Sequence, residues 1–371
     1  MKKKGMVAVL LAGTLLLGAC GTNQNTGGNV SNADEGGAQK GEADSSQSGA
    51  GEGESAGGSG EGLKVVYVTP GAMGDNGFCD SVGRGLERIE ADFGAKTTVI
   101  ENNNDASKYA ESLEACFQWQ PDVVFAEPYG FEELYVQYAD KYPDTTIVCL
   151  DFVLENTQET ISSYTFINEE GAFLAGVCAA LVTESDLEYA NEEKIVGFVG
   201  GQDITVIRGF YKGFEQGVKY IDPEIEILQT YVGDFFDPVK GKTAANQLYA
   251  QGADIIFQAA GRTGHGVLEA ANEENKYAIG VDSNQNGVYP GHVVSSMVKD
   301  LDGAVYDTFK LIVDGTYENN VVYSKGAGPS GVYLAIDEFS EDIMTPEMIS
   351  QINEITNKIA AGEIQIERYT E

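Results

Sequence analysis

The chain has 371 residues, 58 acidic against 23 basic, and a formal charge of −35, with 42% hydrophobic and 10% aromatic side chains. So acidic a surface repels the phosphates of nucleic acid and the headgroups of anionic lipid, which excludes polynucleotide binding and membrane attachment through a basic face. Its simplest physical consequence is solubility, and the length suffices for a core divided between two domains.

The first element is a signal. Lys2, Lys3 and Lys4 precede an apolar run from Met6 to Leu17, too short to span a bilayer, and small residues lead into Cys20. The segment Leu17-Gly18-Ala19-Cys20 resembles a bacterial lipoprotein lipobox. That resemblance implies residues 1–19 as a cleaved signal and a mature chain that begins at Cys20, diacylated through its sulfur and held at the extracytoplasmic face of the cell membrane. Two or three acyl chains, at about 0.8 kcal/mol for each buried methylene, make such an anchor stable. Residues 20–62 read as the lipidated cysteine and a linker rich in Gly, Ser, Ala and Glu, with Val30 its one large apolar residue up to Gly60. Such a stretch cannot bury enough surface to offset its ordering entropy. As a flexible coil of about 40 residues it would reach roughly 35 Å. Within it Gly53-Glu54-Ser55-Ala56-Gly57 copies the spelling of a serine hydrolase elbow, but neither the strand nor the helix which that motif requires flanks it.

From Leu63 onward strands and helices alternate. Val65 to Val68, Thr97 to Glu101, Asp122 to Ala126 and Thr146 to Leu150 are short β-rich runs, separated by stretches of helical period such as Leu86-Ile89-Phe93 and Tyr109-Leu113-Phe117. After a helical stretch from Ala172 to Val182 and a charged segment from Glu184 to Lys194 the pattern restarts. Strands are expected at Ile195 to Val199, Glu226 to Val232, Asp254 to Gln258 and Ala278 to Val281, with a further one at Val293 to Met297. Helices are expected near Val206 to Tyr220, Val239 to Ala250 and Gly266 to Asn275, and a last one from Thr345 to Ala361. Two βα units in tandem predict an α/β protein of two Rossmann-like lobes, each with a parallel sheet, and a cleft between them.

Ligands of such sheets bind beyond the carboxyl ends of the strands. The first strand runs into the glycine-rich loop Thr69 to Phe78, which carries Asp75; Asp151 follows the fourth strand and Asp282 the eighth, and Lys299 comes shortly after the strand from Val293. Each carboxylate can accept from two adjacent hydroxyls, as a sugar diol requires. Phe78, opposite Phe210 or Phe214, can stack on a flat ring. Singly, each aspartate reads as a cap or turn residue; their shared placement points to a ligand.

Several further motifs place the chain in a family. Asp75-Asn76-Gly77-Phe78-Cys79 approaches the pattern D-x-x-F-N. Phe166 is followed by Leu174-Ala175-Gly176 and Ala179-Ala180, and Phe210, Gly213, Phe214 and Gly217 by Tyr220-Ile221-Asp222-Pro223. Ala260-Gly261, Thr263-Gly264 and Gly266-Val267, then Gly280-Val281-Asp282 with Gln285, and Ser295-Ser296-Met297-Val298-Lys299 complete a collinear match over most of Leu63 to Ile336. The folded part thus resembles the basic membrane protein family, the purine nucleoside receptor type of substrate-binding lipoprotein for ABC importers. The resemblance implies a type I periplasmic-binding-protein fold whose chain crosses its hinge three times, with residues 63–183 plus 300–323 as one lobe and 184–299 plus 324–371 as the other. It also implies a small-molecule ligand, a purine nucleoside, and permease and ATPase subunits as partners. Asp75 and Asn76 would contact the ligand, Phe78 would stack with Phe210 across the cleft, Asp151 and Asp282 would hold polar groups of base or ribose, Gly261 would line the site, and Lys299 would help close it. Cys79 stands where the family commonly has Asn. That departure widens the reading to other flat ligands, riboflavin among them.

Other chemistry finds little support. Cys79, Cys116, Cys149 and Cys178 form no CxxC pair and could pair as disulfides outside the cell, but Cys149 in an apolar run and Cys178 in a helix of Ala, Gly and Val suit buried free thiols better. The two histidines, His265 and His292, have no catalytic motif around them. Lys240-Gly241-Lys242-Thr243 imitates the tail of a phosphate loop, but Phe236 occupies the position of its first glycine. Asp282 to Gly287 copies half a calcium loop, whose twelfth position is Val293 instead of Glu. No pattern requires a cofactor or a metal. The competing classes are a nucleoside-hydrolysing enzyme that uses the same aspartates and a ligand sensor that engages a signalling partner.

Overall fold

Runs of β-branched and aromatic residues flanked by glycine and aspartate turns build two parallel sheets, and helices with one apolar face cover them. The computed structural model describes residues 59–370 except Pro128, Asn156 and Thr157, all within one compact unit, Ser55–Glu371. The signal, Cys20 and the Gly53 to Gly57 pattern lie outside the described residues. In the first half β1 (Lys64–Thr69), β2 (Lys96–Glu101), β3 (Val123–Ala126), β4 (Thr146–Leu150) and β5 (Ile161–Phe166) alternate with α1 (Phe78–Phe93), α2 (Tyr109–Gln118) and α3 (Glu132–Lys141). After α4 (Asn168–Thr183), the second half sets β6 (Ile195–Gly200), β7 (Glu226–Tyr231), β8 (Ile255–Ala259), β9 (Tyr277–Asp282) and β10 (Val293–Lys299) against α5 (Thr205–Ile221), α6 (Pro238–Tyr249) and α7 (Gly264–Glu274). The chain then returns through α8 (Leu301–Val313) to β11 (Val322–Lys325) and crosses again to β12 (Val332–Leu334), α9 (Glu338–Glu341) and α10 (Pro346–Ala360).

The strand orders are β11-β5-β4-β3-β1-β2 and β12-β10-β9-β8-β6-β7, so position for position the two sheets correspond. Every pairing is parallel except β10 with β12. Alternation along β1 shows how both faces are used: Val65 and Tyr67 enter the core that includes α1 and α8, whereas Val66 and Val68 enter a second core under α2 and α3. β5, β11 and β12 escape the sequence periodicity. β5 reads Ile161-Ser162-Ser163-Tyr164, polar where the sheet buries it, and the two serines are satisfied by accepting from the amides of Val321 and Leu154. β11 and β12 are short strands at the sheet edges, four and three residues long.

The expected lobe boundary at Thr183 falls one helix too late. α4 packs against α5 of the second half, and the approach is close enough that a Cβ on Gly176 would lie 2.2 Å from the Phe214 carbonyl oxygen and one on Gly217 2.0 Å from that of Phe173. The first crossing therefore comes at Ile167, before α4. This contact also explains why glycine recurs through Gly176, Gly213 and Gly217: backbone meets backbone, and no side chain fits. α4 is apolar on all sides because it is buried on all sides. No helix among the described residues is long and apolar enough to cross a membrane.

Cys79, Cys116, Cys149 and Cys178 are free and buried. Burial pushes the thiols of Cys116, Cys149 and Cys178 up to about 12, which leaves them unreactive. Lys240, Gly241, Lys242 and Thr243 fall inside α6, where Lys240 pairs with Asp234, Lys242 with Glu269 and Glu273, and Gly241 admits the backbone of Thr263. The phosphate-loop spelling is thus a helix crossing flanked by surface ion pairs.

Candidate functional site

The carboxyl ends of strands from both sheets open on one cavity of about 570 Å³. Asp75, Phe78 and Asp151 line it from the first half, and Phe210, Gly261, Asp282 and Lys299 from the second. A separate depression of about 600 Å³ lies between Tyr220 and α10, lined by Glu347, Glu354 and Lys358 and without any strand-end residue.

At the centre an ion cluster joins the halves. Lys299 closes β10, and its Nζ lies 2.8 Å from Asp151 Oδ2 and 2.8 Å from Asp282 Oδ1. All three residues are buried. Burial works to lower the ammonium's pKa, but Asp151 and Asp282 outweigh it and hold the group above its usual value. Burial raises the Asp282 carboxyl, a shift that Lys299 opposes and the charges of Asp151 and Asp75 reinforce. Two carboxylates on one ammonium leave an excess of buried acceptors, and the cheapest way to satisfy them is a ligand that brings hydroxyl donors. Asp151 and Asp282 both have positive φ, 54° and 67°. A left-handed turn at a strand end bends each carboxylate back over the sheet edge, at a backbone cost that the ion cluster sustains.

The first loop does not deliver what the sequence suggests. Asp75 lies on the cavity wall, yet its carboxylate accepts from the backbone amides of Gly77 at 2.9 Å, Cys79 at 3.0 Å and Asp80 at 3.1 Å, so it secures the start of α1. Asn76 is exposed, with φ of 44°, and does not appear in the lining. Its backbone makes a contact of a different kind: the Asn76 carbonyl accepts from Ser283 Oγ at 2.5 Å and from Gln285 Nε2 at 3.0 Å, both on the second half. His265 Nε2 donates to the Asp75 carbonyl at 2.7 Å. Three side chains of the second half thus latch two consecutive carbonyls of the first.

Phe78 and Phe210 come one from each half, and each ring centroid is 5.2 Å from Lys299 Nζ. Phe214 is fully buried against Phe198 and Phe257 and belongs to the core. Gly261, with φ of 55°, begins the turn after β8 in a conformation that a side chain would strain. Sequence reasoning missed Glu127, Tyr109, Tyr129, Phe235 and Phe236, all of which line the cavity. Glu127 directly follows β3, so the strand-end rule that found Asp151 and Asp282 would have found it too. Phe236 carried no periodic signal; it reaches Gly71 of the opposite half, where a Cβ would lie 3.0 Å from its ring. The calcium-loop resemblance also dissolves, because Asp282 is bound to Lys299 while Asn284 and Asn286 donate to Asp337. Among the described residues no cluster of His, Cys, Asp or Glu is arranged to hold a metal ion.

Two Rossmann-like sheets, joined by three crossings and facing each other across an acidic and aromatic cleft, define a substrate-binding protein of type I fold. The family model for the Bmp group, described as "ABC transporter substrate-binding protein PnrA-like", matches residues 63–370, and the chain belongs to that family. Basic membrane protein D of Borreliella burgdorferi strain JD1 is 29% identical over 306 residues, covering 81% of this chain and 84% of its own length. The ABC transporter nucleoside-binding protein BmpA of Lactococcus lactis subsp. cremoris is 28% identical over 319 residues, covering 80% of this chain and 88% of its own. Among solved structures, an ABC transporter solute-binding protein of Aeropyrum pernix K1 superposes with a TM-score of 0.75 at 24% identity, over 83% of this chain and 94% of that one. The chain is therefore an ABC transporter substrate-binding protein of the Bmp family, a role that operates outside the cytoplasm.

Proposed function

We propose that this protein is the lipid-anchored receptor of an ABC importer, that it captures a purine nucleoside between its halves without catalysis, and that it presents the closed form to a permease. The observation that carries the reading is the cluster of Asp151, Lys299 and Asp282 beneath an aromatic ring from each half. Carboxylates accept from a ribose diol, and phenyl rings stack on a base. The nucleoside-binding relative in Lactococcus lactis supports the ligand class. Charge refines it: Asp75, Glu127, Glu132, Asp151, Asp234 and Asp282 share the wall with only Lys299 and Arg262, so a phosphorylated nucleoside is repelled. Closure follows from differential affinity, since the ligand touches both halves only when they meet. The lipid anchor rests on Leu17 to Cys20 alone.

Cys79 favours a second reading. It lies on the wall where the family pattern has an amide, and its thiol faces inward to Tyr67 and Thr69, so a flat ligand that needs no amide there, such as riboflavin, also suits the site. Calorimetry with adenosine, guanosine, inosine, riboflavin and a nucleoside monophosphate separates these cases. Heat with a nucleoside and none with its monophosphate is the expected result, heat with riboflavin alone moves the ligand class, and silence with every nucleoside removes the first reading. Release of free hypoxanthine from inosine would reveal an enzyme instead.

A further inference from the structure

Glu127 is an acidic group of the cleft whose carboxylate is engaged through one oxygen only. Asp75 is engaged by backbone amides, and Asp151 and Asp282 by Lys299. Glu127 stands at the end of β3, between the ends of β1 and β4 in the sheet order, and therefore on the strand next to the one that ends at Asp151. Its Oε2 accepts from Thr69 Oγ1 at 2.7 Å and Tyr67 Oη at 3.0 Å, with Cys79 Sγ at 4.0 Å. Among the described residues no protein donor reaches Oε1, and the side chain lines the cavity. Two hydroxyls thus fix one oxygen and leave the other free to meet a ligand next to the ring-and-ion cluster.

We propose that Glu127 is a specificity-determining residue that reads the hydrogen-bonding edge of the bound base and selects, as a carboxylate, for a base that presents an N–H donor. The proposal rests on the nucleoside reading and adds to it a rule for the base. As an ionised group Oε1 accepts an N–H such as the one at N1 of hypoxanthine; once protonated it donates, and that preference is lost.

The group titrates in a useful range. Burial raises its pKa to about 7, with the hydroxyls of Thr69 and Tyr67 opposing and the charges of Asp75 and Asp282 adding to the rise. Burial shifts the tyrosines and the thiol around it, Tyr67, Cys79, Tyr109, Tyr129 and Tyr135, upward, so they keep their protons as Glu127 ionises; Asp75, Glu132, Asp151 and Asp282 share the wall, and burial raises Asp282 as well, an effect common to both ligands. Lys299 stays charged between its two aspartates. The sign follows: donor-bearing bases gain as pH rises through the pKa of Glu127, and acceptor-only bases lose.

The test compares inosine, which has the N1 donor, with purine riboside, which has only acceptors on that edge, by calorimetry at pH about 5.5 and about 8. Any effect of pH on closure acts on both ligands and cancels in the ratio of their affinities. In the wild-type protein the preference for inosine should rise about tenfold between the two conditions, and in Glu127→Gln, checked for an unchanged melting profile, it should be flat. A wild-type ratio that does not move with pH overturns the proposal without needing the variant, as does a Glu127→Gln protein that keeps the wild-type dependence; both leave the nucleoside reading standing. Failure of both nucleosides to bind overturns that reading along with this one.

Discussion

Asp151 at the end of β4 and Asp282 at the end of β9 occupy the same place in their respective sheets, share a positive φ and share Lys299, yet their surroundings differ. Asp151 has partners in its own neighbourhood: the Asn168 amide donates at 3.2 Å and the Phe166 backbone at 3.4 Å. Asp282 has the lysine and the cavity, and burial raises its carboxyl. Two residues that the sequence presents as equivalents therefore differ, one tied into the fold by further donors and the other held by the lysine alone on the cavity wall. The third aspartate of the expected set, Asp75, is a local cap that happens to lie on the wall.

The lysine gives the sharpest break. Lys299→Met leaves two carboxylates buried without a counter-charge and should lower unfolding stability by about 3 to 5 kcal/mol, as read by denaturant titration. A loss below about 1 kcal/mol would show that the cluster is solvated like a surface pair. Next, Asp282→Ala should weaken nucleoside affinity more than tenfold, with a larger effect than Asp151→Ala; the reverse order would exchange the roles assigned to the two halves. Asp75→Ala should act mainly on the fold, at about 1 kcal/mol in stability for a lost cap, while its change in dissociation constant stays below that of Asp282→Ala. A wholly binding-specific effect at Asp75 would restore the ligand contact that its three amide bonds argue against.

What was legible in the sequence was whatever carried a period or a position. The valine-rich strands and the amphipathic helices showed themselves by alternation, and the strand-end rule placed Asp151, Asp282 and Lys299 together although 148 residues separate the first from the last. Polar residues hid β5, because buried serines look like a loop until their hydroxyls find backbone partners. The half to which α4 belongs is not legible in its sequence, because an all-apolar helix does not say which sheet it covers; the glycines that decide it, Gly176 and Gly217, act through a three-dimensional approach that neither segment encodes alone. Asn76 shows a related limit. Its side chain was the visible feature, but its carbonyl makes the contact, and backbone groups leave no mark on composition.

The most direct test of the cleft's chemistry is a calorimetric comparison of inosine with its 2′,3′-dideoxy form on the wild-type protein. The ring and its stacking are unchanged between the two, and only the diol that Asp151, Lys299 and Asp282 would hold is removed. The account predicts that the dideoxy compound binds at least tenfold more weakly, the value of a lost hydrogen bond to a charged group. Equal affinity for the two compounds would contradict it, because the buried carboxylates would then have no part in holding the ligand.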